Sequence, residues 1–408
     1  MKLVVVTPHF APDLAPTGEV VTRITDELIA LGHRIEVITS LPWYRDHRIE
    51  PGYEGKLVRH EDTPWGRIVR VNPFATTDKR NIARRAASFA GFSIVSAALA
   101  ARGEPVDGVL ALSPPLTLGL TGWAIARRRK APLVLTIHDV YPDVAIELGV
   151  LTNERLVTVA RRLERLCYAR ADAVTVLSDD LSENISSRLD DPSKVRVIPN
   201  FVDTDWIRPL AKDNAYRRQF GLEGKFVVMY AGNVGLSQSL DLVLDAASAL
   251  THESDIAFVI NGGGAARTRL EKRARGIPNV VFVDMQPAER LPEVLAAADL
   301  HLIPLKRGLA RSSVPSKTYS ILAAGRPLVA SVDEGSEVAR LVERAGAGVA
   351  VPPDDSEAFT KAIRGLYERG SELAIMGAQG RTFVEQWASP AAVAARYADL
   401  FIELNSRR

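Results

Sequence analysis

The segment 306–327, KRGLARSSVPSKTYSILAAGRP, gathers residue types suited to holding phosphate groups. Arg307, Arg311 and Lys317 surround a Pro-Ser-Lys helix start, which leads into an apolar helix, a Gly-Arg-Pro stop and the strand-like run LVASV. A helix N-terminus presents unpaired backbone N–H groups and a partial positive charge. With cations beside it, such an end suits a diphosphate. The same residues also fit an ordinary loop-to-helix join with basic side chains in water, and this segment alone leaves both readings open.

Other polar and glycine-rich stretches follow apolar runs elsewhere. They are Thr7-Pro8-His9 with Ala15-Pro16-Thr17-Gly18-Glu19 before a first helix, Ile137-His138-Asp139, Ala231-Gly232-Asn233-Val234-Gly235, and Asn261-Gly262-Gly263-Gly264. One glycine loop says little, because tight strand-to-helix turns need glycine for steric reasons. Four such loops at strand ends, in two halves able to face one another, point to a nucleotide cleft.

The elements that must position these loops are legible. Short apolar runs at 3–7, 35–39, 108–112, 133–137 and 173–177 alternate with helical stretches, the first at 20–31. The pattern restarts at 226–231 and continues at 257–261, 280–283, 300–304, 328–331 and 348–351. Short, uninterrupted apolar strands between helices indicate parallel sheets covered on both faces. The expected fold class is α/β, with two doubly wound domains meeting near 198–205, IPNFVDTD.

Composition narrows the functions. Apolar residues make up 47% of the 408 and charged residues 25%, as in a water-soluble globular protein. A net charge of +2, with no long basic block, argues against nucleic acid. Cys167 is the single cysteine, so no internal disulfide or thiolate zinc site can form, and its apolar neighbours suggest a buried thiol. The start, MKLVVVTPHFAP, reads as a strand and not as a signal peptide, and no apolar run is long enough to span a bilayer. A cytoplasmic protein is expected.

Several motifs together resemble the GT-B fold glycosyltransferases of retaining family 4 over nearly the whole chain. They are GHRIEVIT, VRVIPNFVD, NVVFVDMQPAERLPEVLAAADLHLIPL and LAAGRPLVAS. SPPLTLGLTG, HDVYPD, GNVG and VPSK are most similar to the subgroup that builds bacterial surface polysaccharides, including fucosaminyltransferase-like enzymes. The resemblance implies two Rossmann-like domains facing across a cleft. These are an acceptor-side domain at 1–205, with a C-terminal helix at 388–408 packed back on it, and a donor domain at 206–387. It also exposes a departure. The family's Glu-x7-Glu pair falls on Ser312 and Ser320, and its Arg and Lys after the first strand of the second domain fall on Asn233 and Gln238.

By this resemblance His138 contacts the donor sugar, with Asp139 orienting its ring, and Lys317 and Arg311 meet the diphosphate. Gly18, Asn233 and Gly235 approach the phosphates, and Gly263 and Gly264 the nucleoside. Ser312, Ser316, Ser320 and Glu337 complete the donor site, although Glu337 also fits a helix cap. Thr17 and Glu19 fall on the acceptor side, although Glu19 also fits a helix start. Asp203 and Asp205 form a D-x-D in the linker signature and are not read as metal ligands.

The implied reaction is transfer from a nucleotide-diphosphate sugar, such as a UDP- or GDP-sugar, to a hydroxyl of a glycan or polyprenyl-linked acceptor. Retention, no metal and no cofactor are expected. The stretch 79–102, KRNIARRAASFAGFSIVSAALAAR, suits either a buried helix or one lying on an anionic inner membrane face. Two other functions remain open: a non-catalytic nucleotide-sugar-binding relative, which the two serines favour, and a sugar-nucleotide epimerase, which they disfavour.

Overall fold

A computed structural model describes the chain apart from residues 14, 46–47, 75–81, 148–150, 236 and 309–315, and the side chains of 82–87 and 147. Two compact units result. One comprises Met1–Asn200 with Pro390–Arg408, and the other Phe201–Ser389.

In the first unit the strands are β1 (Lys2–Val6), β2 (Arg34–Ser40), β3 (Val58–Thr63), β4 (Gly66–Val71), β5 (Gly108–Ser113), β6 (Leu133–Ile137), β7 (Ala173–Val176) and β8 (Val195–Val197). Their spatial order is β3-β4-β2-β1-β5-β6-β7-β8. All neighbours are parallel except β3 and β4. The central strands are buried on both faces, which is why they read as continuous apolar runs.

The β3–β4 hairpin escaped sequence reading because β3, VRHEDT, is a half-exposed edge strand with charged residues, and β4, GRIVRV, carries two arginines. Gly66 opens β4 with φ +154°, and a Cβ there would lie 1.9 Å from the Ile35 carbonyl oxygen, so no other residue lets β4 pair so closely with β2.

The second unit contains β9 (Phe226–Ala231), β10 (Ile256–Asn261), β11 (Val280–Val283), β12 (Leu300–Pro304), β13 (Leu328–Ser331) and β14 (Gly348–Val351). They form one sheet in the order β11-β10-β9-β12-β13-β14, parallel throughout. Asp299 anchors its middle: its Oδ2 accepts from the buried Arg217 guanidinium at 2.5 Å and from the Val227 amide at 2.8 Å.

Chain order reverses between β1 and β5 in the first sheet and between β9 and β12 in the second. Open α/β sheets bind ligands in the crevice beyond the strand carboxyl ends at such points.

The helix α1 (Pro16–Ala30) packs on the C-terminal helix Pro390–Ser406. That contact is tied to the sheet by Asn405 Nδ2, which donates to the Asp107 carbonyl at 2.7 Å. Helix α2 (Ile82–Ala100) buries Phe92, Ser93, Ser96 and Ala100 and leaves Ile94 exposed. Among the described residues no helix is long and apolar enough to cross a membrane. Cys167 is buried as expected, and burial pushes its thiol up to about 12.

Candidate functional site

In the second unit, the loop after β9 meets Lys317 at the carboxyl edge of the sheet. Gly232 follows β9 with φ +138°, and a Cβ on it would lie 2.8 Å from Lys317 Nζ. The ammonium also sits 3.9 Å from the centroid of the Tyr230 ring, a cation–π contact. Tyr230 Oη donates to the Asn233 carbonyl at 2.5 Å and so fixes the loop beyond Gly232. Burial pushes the Lys317 ammonium down to about 8. The described residues supply no carboxylate bonded to it.

The glycine loops after β9 and β10 support one another. The Gly232 amide donates to the Asn261 carbonyl at 2.9 Å, and the Val234 amide to the Gly263 carbonyl at 2.8 Å. A Cβ on Gly264 would lie 2.4 Å from the Val234 carbonyl oxygen and 2.7 Å from Asn233 Oδ1. Gly264 is therefore required by loop-against-loop packing, which supplies a reason for it besides approach to a nucleoside. At Gly263, by contrast, a Cβ would meet nothing within 4 Å. Gly235 lies against Asn233 and Gln238, and its amide donates to Gln238 Oε1 at 3.0 Å. Asn233, Gly235, Gly264 and Lys317 thus come together as a group, with Gly232 and Tyr230 as members that single-residue reading did not select.

The rest of the 306–327 segment divides differently. Arg307 does not join Lys317. Its guanidinium donates to the Pro353 carbonyl at 3.0 Å and its amide to Asp354 Oδ2 at 3.2 Å, tying the loop after β12 to the loop after β14. Arg311 and Ser312 lie outside the described residues. Ser316 is exposed and precedes the helix Lys317–Ala323, and its side chain does not cap that helix. Ser320 is half-buried, and its hydroxyl turns back to the Ser316 carbonyl at 3.5 Å.

Glu337 begins the helix Glu337–Ala345, while Ser336, not Glu337, caps it by accepting from the Ala339 amide. The Glu337 carboxylate is buried and pairs with Arg340 at 2.9 Å. In the D-x-D of the linker, Asp203 Oδ1 accepts from the amides of Asp205 and Trp206, an Asx turn.

In the first unit, His138 follows β6 and its amide donates to the Ser113 carbonyl at 3.0 Å. Burial pushes its imidazole down to about 4, so the ring is neutral near pH 7. The expectation that Asp139 orients this ring is corrected: among the described residues no hydrogen bond joins them, and Asp139 is exposed. Both residues lie in the bend after β6, where strand alternation no longer fixes side-chain direction, so adjacency in sequence does not pair them.

Elsewhere in the same unit, the His9 imidazole, after β1, does hold a carboxylate. Its Nδ1 lies 2.6 Å from Asp13 Oδ2. No sequence signal marked this pair, because four-residue spacing brings side chains together on a helix and says nothing about a loop.

Thr17, Gly18 and Glu19 also change context. They form the first turn of α1 and not the loop before it, because Pro16 at the first helical position presets the backbone. Gly18 packs that turn on the preceding loop: a Cβ on it would lie 2.9 Å from His9 Cβ and 3.2 Å from the Asp13 carbonyl oxygen. Glu19 is exposed.

Comparisons with known proteins bear on the fold and the family. Residues 17–206 match the family model described as Glycosyltransferase Family 4, and residues 225–369 match that described as Glycosyl transferases group 1. The Escherichia coli K12 protein WcaI, assigned by name as a glycosyl transferase of colanic acid biosynthesis, is 30% identical over 376 residues, covering 89% of this chain and 91% of that protein. Among solved structures, sucrose-phosphate synthase from Thermosynechococcus elongatus is similar with a TM-score of 0.65 at 18% identity, covering all of both chains. HepE of Anabaena, solved with UDP, is similar with a TM-score of 0.63 at 16% identity, covering 99% of this chain and 100% of that one. The chain belongs to the GT-B fold glycosyltransferases of family 4.

Proposed function

We propose that the protein transfers a sugar, with retention and without a metal, from a nucleotide-diphosphate donor to a hydroxyl of a glycan or lipid-linked acceptor in surface-polysaccharide synthesis. The observation that carries this reading is the half-buried Lys317, its ammonium set against Gly232 at the reversal point between β9 and β12. A cation held there without a carboxylate partner among the described residues is available to an anionic ligand. HepE was solved with UDP, and WcaI is named for colanic acid biosynthesis, which supports the donor and pathway classes.

In the reaction the acceptor oxygen bonds to the anomeric carbon as the bond from that carbon to the diphosphate oxygen breaks. The departing phosphate oxygen takes the acceptor's proton. Lys317 and the N-terminus of its helix, with Arg311, Ser312, Ser316 and Ser320 from the same segment, stabilise the charge that grows on the leaving group. Asn233 and Gly235 face the diphosphate, Gly263 faces the nucleoside, and Glu337 serves the donor from the loop after β13. Neutral His138 hydrogen-bonds the transferred sugar. Thr17 and Glu19 serve the acceptor, and Gly18 the phosphates. We assign the protein to the cytoplasmic side of the membrane, with the exposed side of α2 meeting anionic lipid when the acceptor is lipid-linked.

Incubation with a panel of UDP-, GDP- and TDP-sugars tests this reading. Slow hydrolysis of one donor, releasing the sugar with its anomeric configuration kept, is the expected result. Binding without turnover would identify a non-catalytic relative, and interconversion of donors an epimerase.

A further inference from the structure

The His9–Asp13 pair is built with more care than a turn requires. The loop that carries it is pinned at several points. Ser40 Oγ donates to the Pro8 carbonyl at 2.6 Å, Thr7 Oγ1 to the His9 carbonyl at 2.9 Å, and a guanidinium nitrogen of buried Arg70 to the Ala11 carbonyl at 2.6 Å. The Asp13 side chain is 0% exposed and uses both oxygens: Oδ2 on His9 Nδ1, and Oδ1 to accept the Tyr44 amide at 3.0 Å. One carboxylate thereby joins the loops that leave the neighbouring strands β1 and β2.

Trp43 and Tyr44 flank the imidazole. The Trp43 ring centroid is 5.6 Å from it, and the Tyr44 ring meets it edge-on at 5.3 Å. The His9 side chain keeps 11% of its surface, and Tyr44 is 39% exposed.

An ionised carboxylate only accepts hydrogen bonds, so Asp13 holds the proton of a neutral His9 on Nδ1. In that neutral ring Nε2 keeps its lone pair, and among the described residues nothing bonds it. A fixed hydrogen-bond acceptor next to an exposed aromatic ring is the pairing that recognises a sugar, whose hydroxyls donate and whose C–H face stacks. The cluster also lies beside the β1–β5 reversal point, where such sheets take ligands.

We infer that the loops leaving β1 and β2 form a carbohydrate site, in which His9 Nε2 accepts a sugar hydroxyl and Tyr44 covers the sugar's apolar face. Asp13 is its positioning residue. The inference rests on the transferase reading and deepens it, naming the acceptor as a sugar ring and placing its recognition on residues that the family motifs do not mark.

The test is imidazole nitrogen NMR on the full chain labelled at histidine, titrated with methyl glycosides of glucose, galactose, mannose, fucose and N-acetylglucosamine. His9→Gln assigns the His9 signals. The expected result is a proton on Nδ1 in the free protein, and a shift of Nε2 on adding at least one glycoside. Tyr44→Ala, at an exposed ring, keeps the His9 signals and weakens that glycoside roughly 2- to 10-fold. Asp13→Asn moves the proton to Nε2, which a merely structural contact does not require. A His9 signal that no glycoside moves, or a glycoside response that Tyr44→Ala leaves unchanged, overturns the inference. UDP and GDP titrations on the same sample report the donor site separately, so a failed transferase reading shows there and not in the glycoside response.

Discussion

The Lys317 ammonium lies over the face of the Tyr230 ring, 3.9 Å from its centroid, in the space that a side chain on Gly232 would occupy. Three strand-end features, each weak in the sequence, are thereby one object. The aromatic face partly replaces the water lost by the cation, and the missing side chain admits it.

Lys317→Met tests what this arrangement costs and what it supplies. A lysine at about 8 in the folded protein and 10.5 when free is destabilised as a cation by burial. The unfolded chain binds the proton more tightly, so at neutral pH the charge lowers stability, and the loss is relieved as pH rises from 8 to 10.5. Methionine keeps the length and discards the charge. Denaturant unfolding at neutral pH is expected to show a gain of roughly 1–3 kcal/mol. Transfer activity is expected to fall about 10²- to 10³-fold. Activity near that of the unmodified protein would remove Lys317 from the site.

The pH profile of donor use follows from the same group. Since kcat/KM reports the free enzyme, it is expected to fall as pH rises through about 8, where Lys317 loses its proton. A bound diphosphate favours the cation, so the corresponding limb in kcat moves to higher pH. Initial rates at low and saturating donor separate the two limbs, and coincident limbs would count against contact between Lys317 and the diphosphate.

Gly263 and Gly264 are neighbours with different tasks. Gly264 has φ +152° and carbonyl oxygen 2.4 Å from a Cβ position, so Gly264→Ala is expected to destabilise by about 1–3 kcal/mol. A methyl group on Gly263 meets open space. Gly263→Ala is therefore expected to keep the unfolding midpoint and to raise donor KM several-fold, because the methyl occupies the nucleoside's approach. An unchanged KM would show that the nucleoside lies elsewhere.

Acid sensitivity traces to His301 on β12. It is 1% exposed, and its Nε2 lies 2.9 Å from the Leu295 carbonyl. Burial pushes the ring down to about 4 from 6.5. The unfolded chain takes up the proton first, so stability is complete above 6.5 and lost as pH falls toward 4. Denaturant midpoints across that window are expected to fall, and His301→Gln to reduce the fall by roughly 1–3 kcal/mol. His138 contributes in the same sense, so part of the slope remains.

The strands were legible because a parallel strand buried on both faces is a local property: a short run of mostly apolar residues, as in LVLTI of β6 or IAFVIN of β10. The family was legible because its motifs are local too. The β3–β4 hairpin and the three-residue β8 were not, since a charged edge strand and a very short one carry little apolar signal.

Within the candidate site, residue types pointed to Lys317 and the glycine loops, while partners came only from folding. Sequence neighbours suggested His138 with Asp139, yet it is His9 that folding brings against a buried carboxylate, that of Asp13. Sequence placed Arg307 beside Lys317, yet Arg307 ties down Pro353. Composition and periodicity determined which segments are strands and where loops must emerge. Tertiary structure decided which loops share an edge of a sheet, because strand order is set by crossovers, and which way each loop side chain points, because that depends on backbone torsions and neighbouring loops.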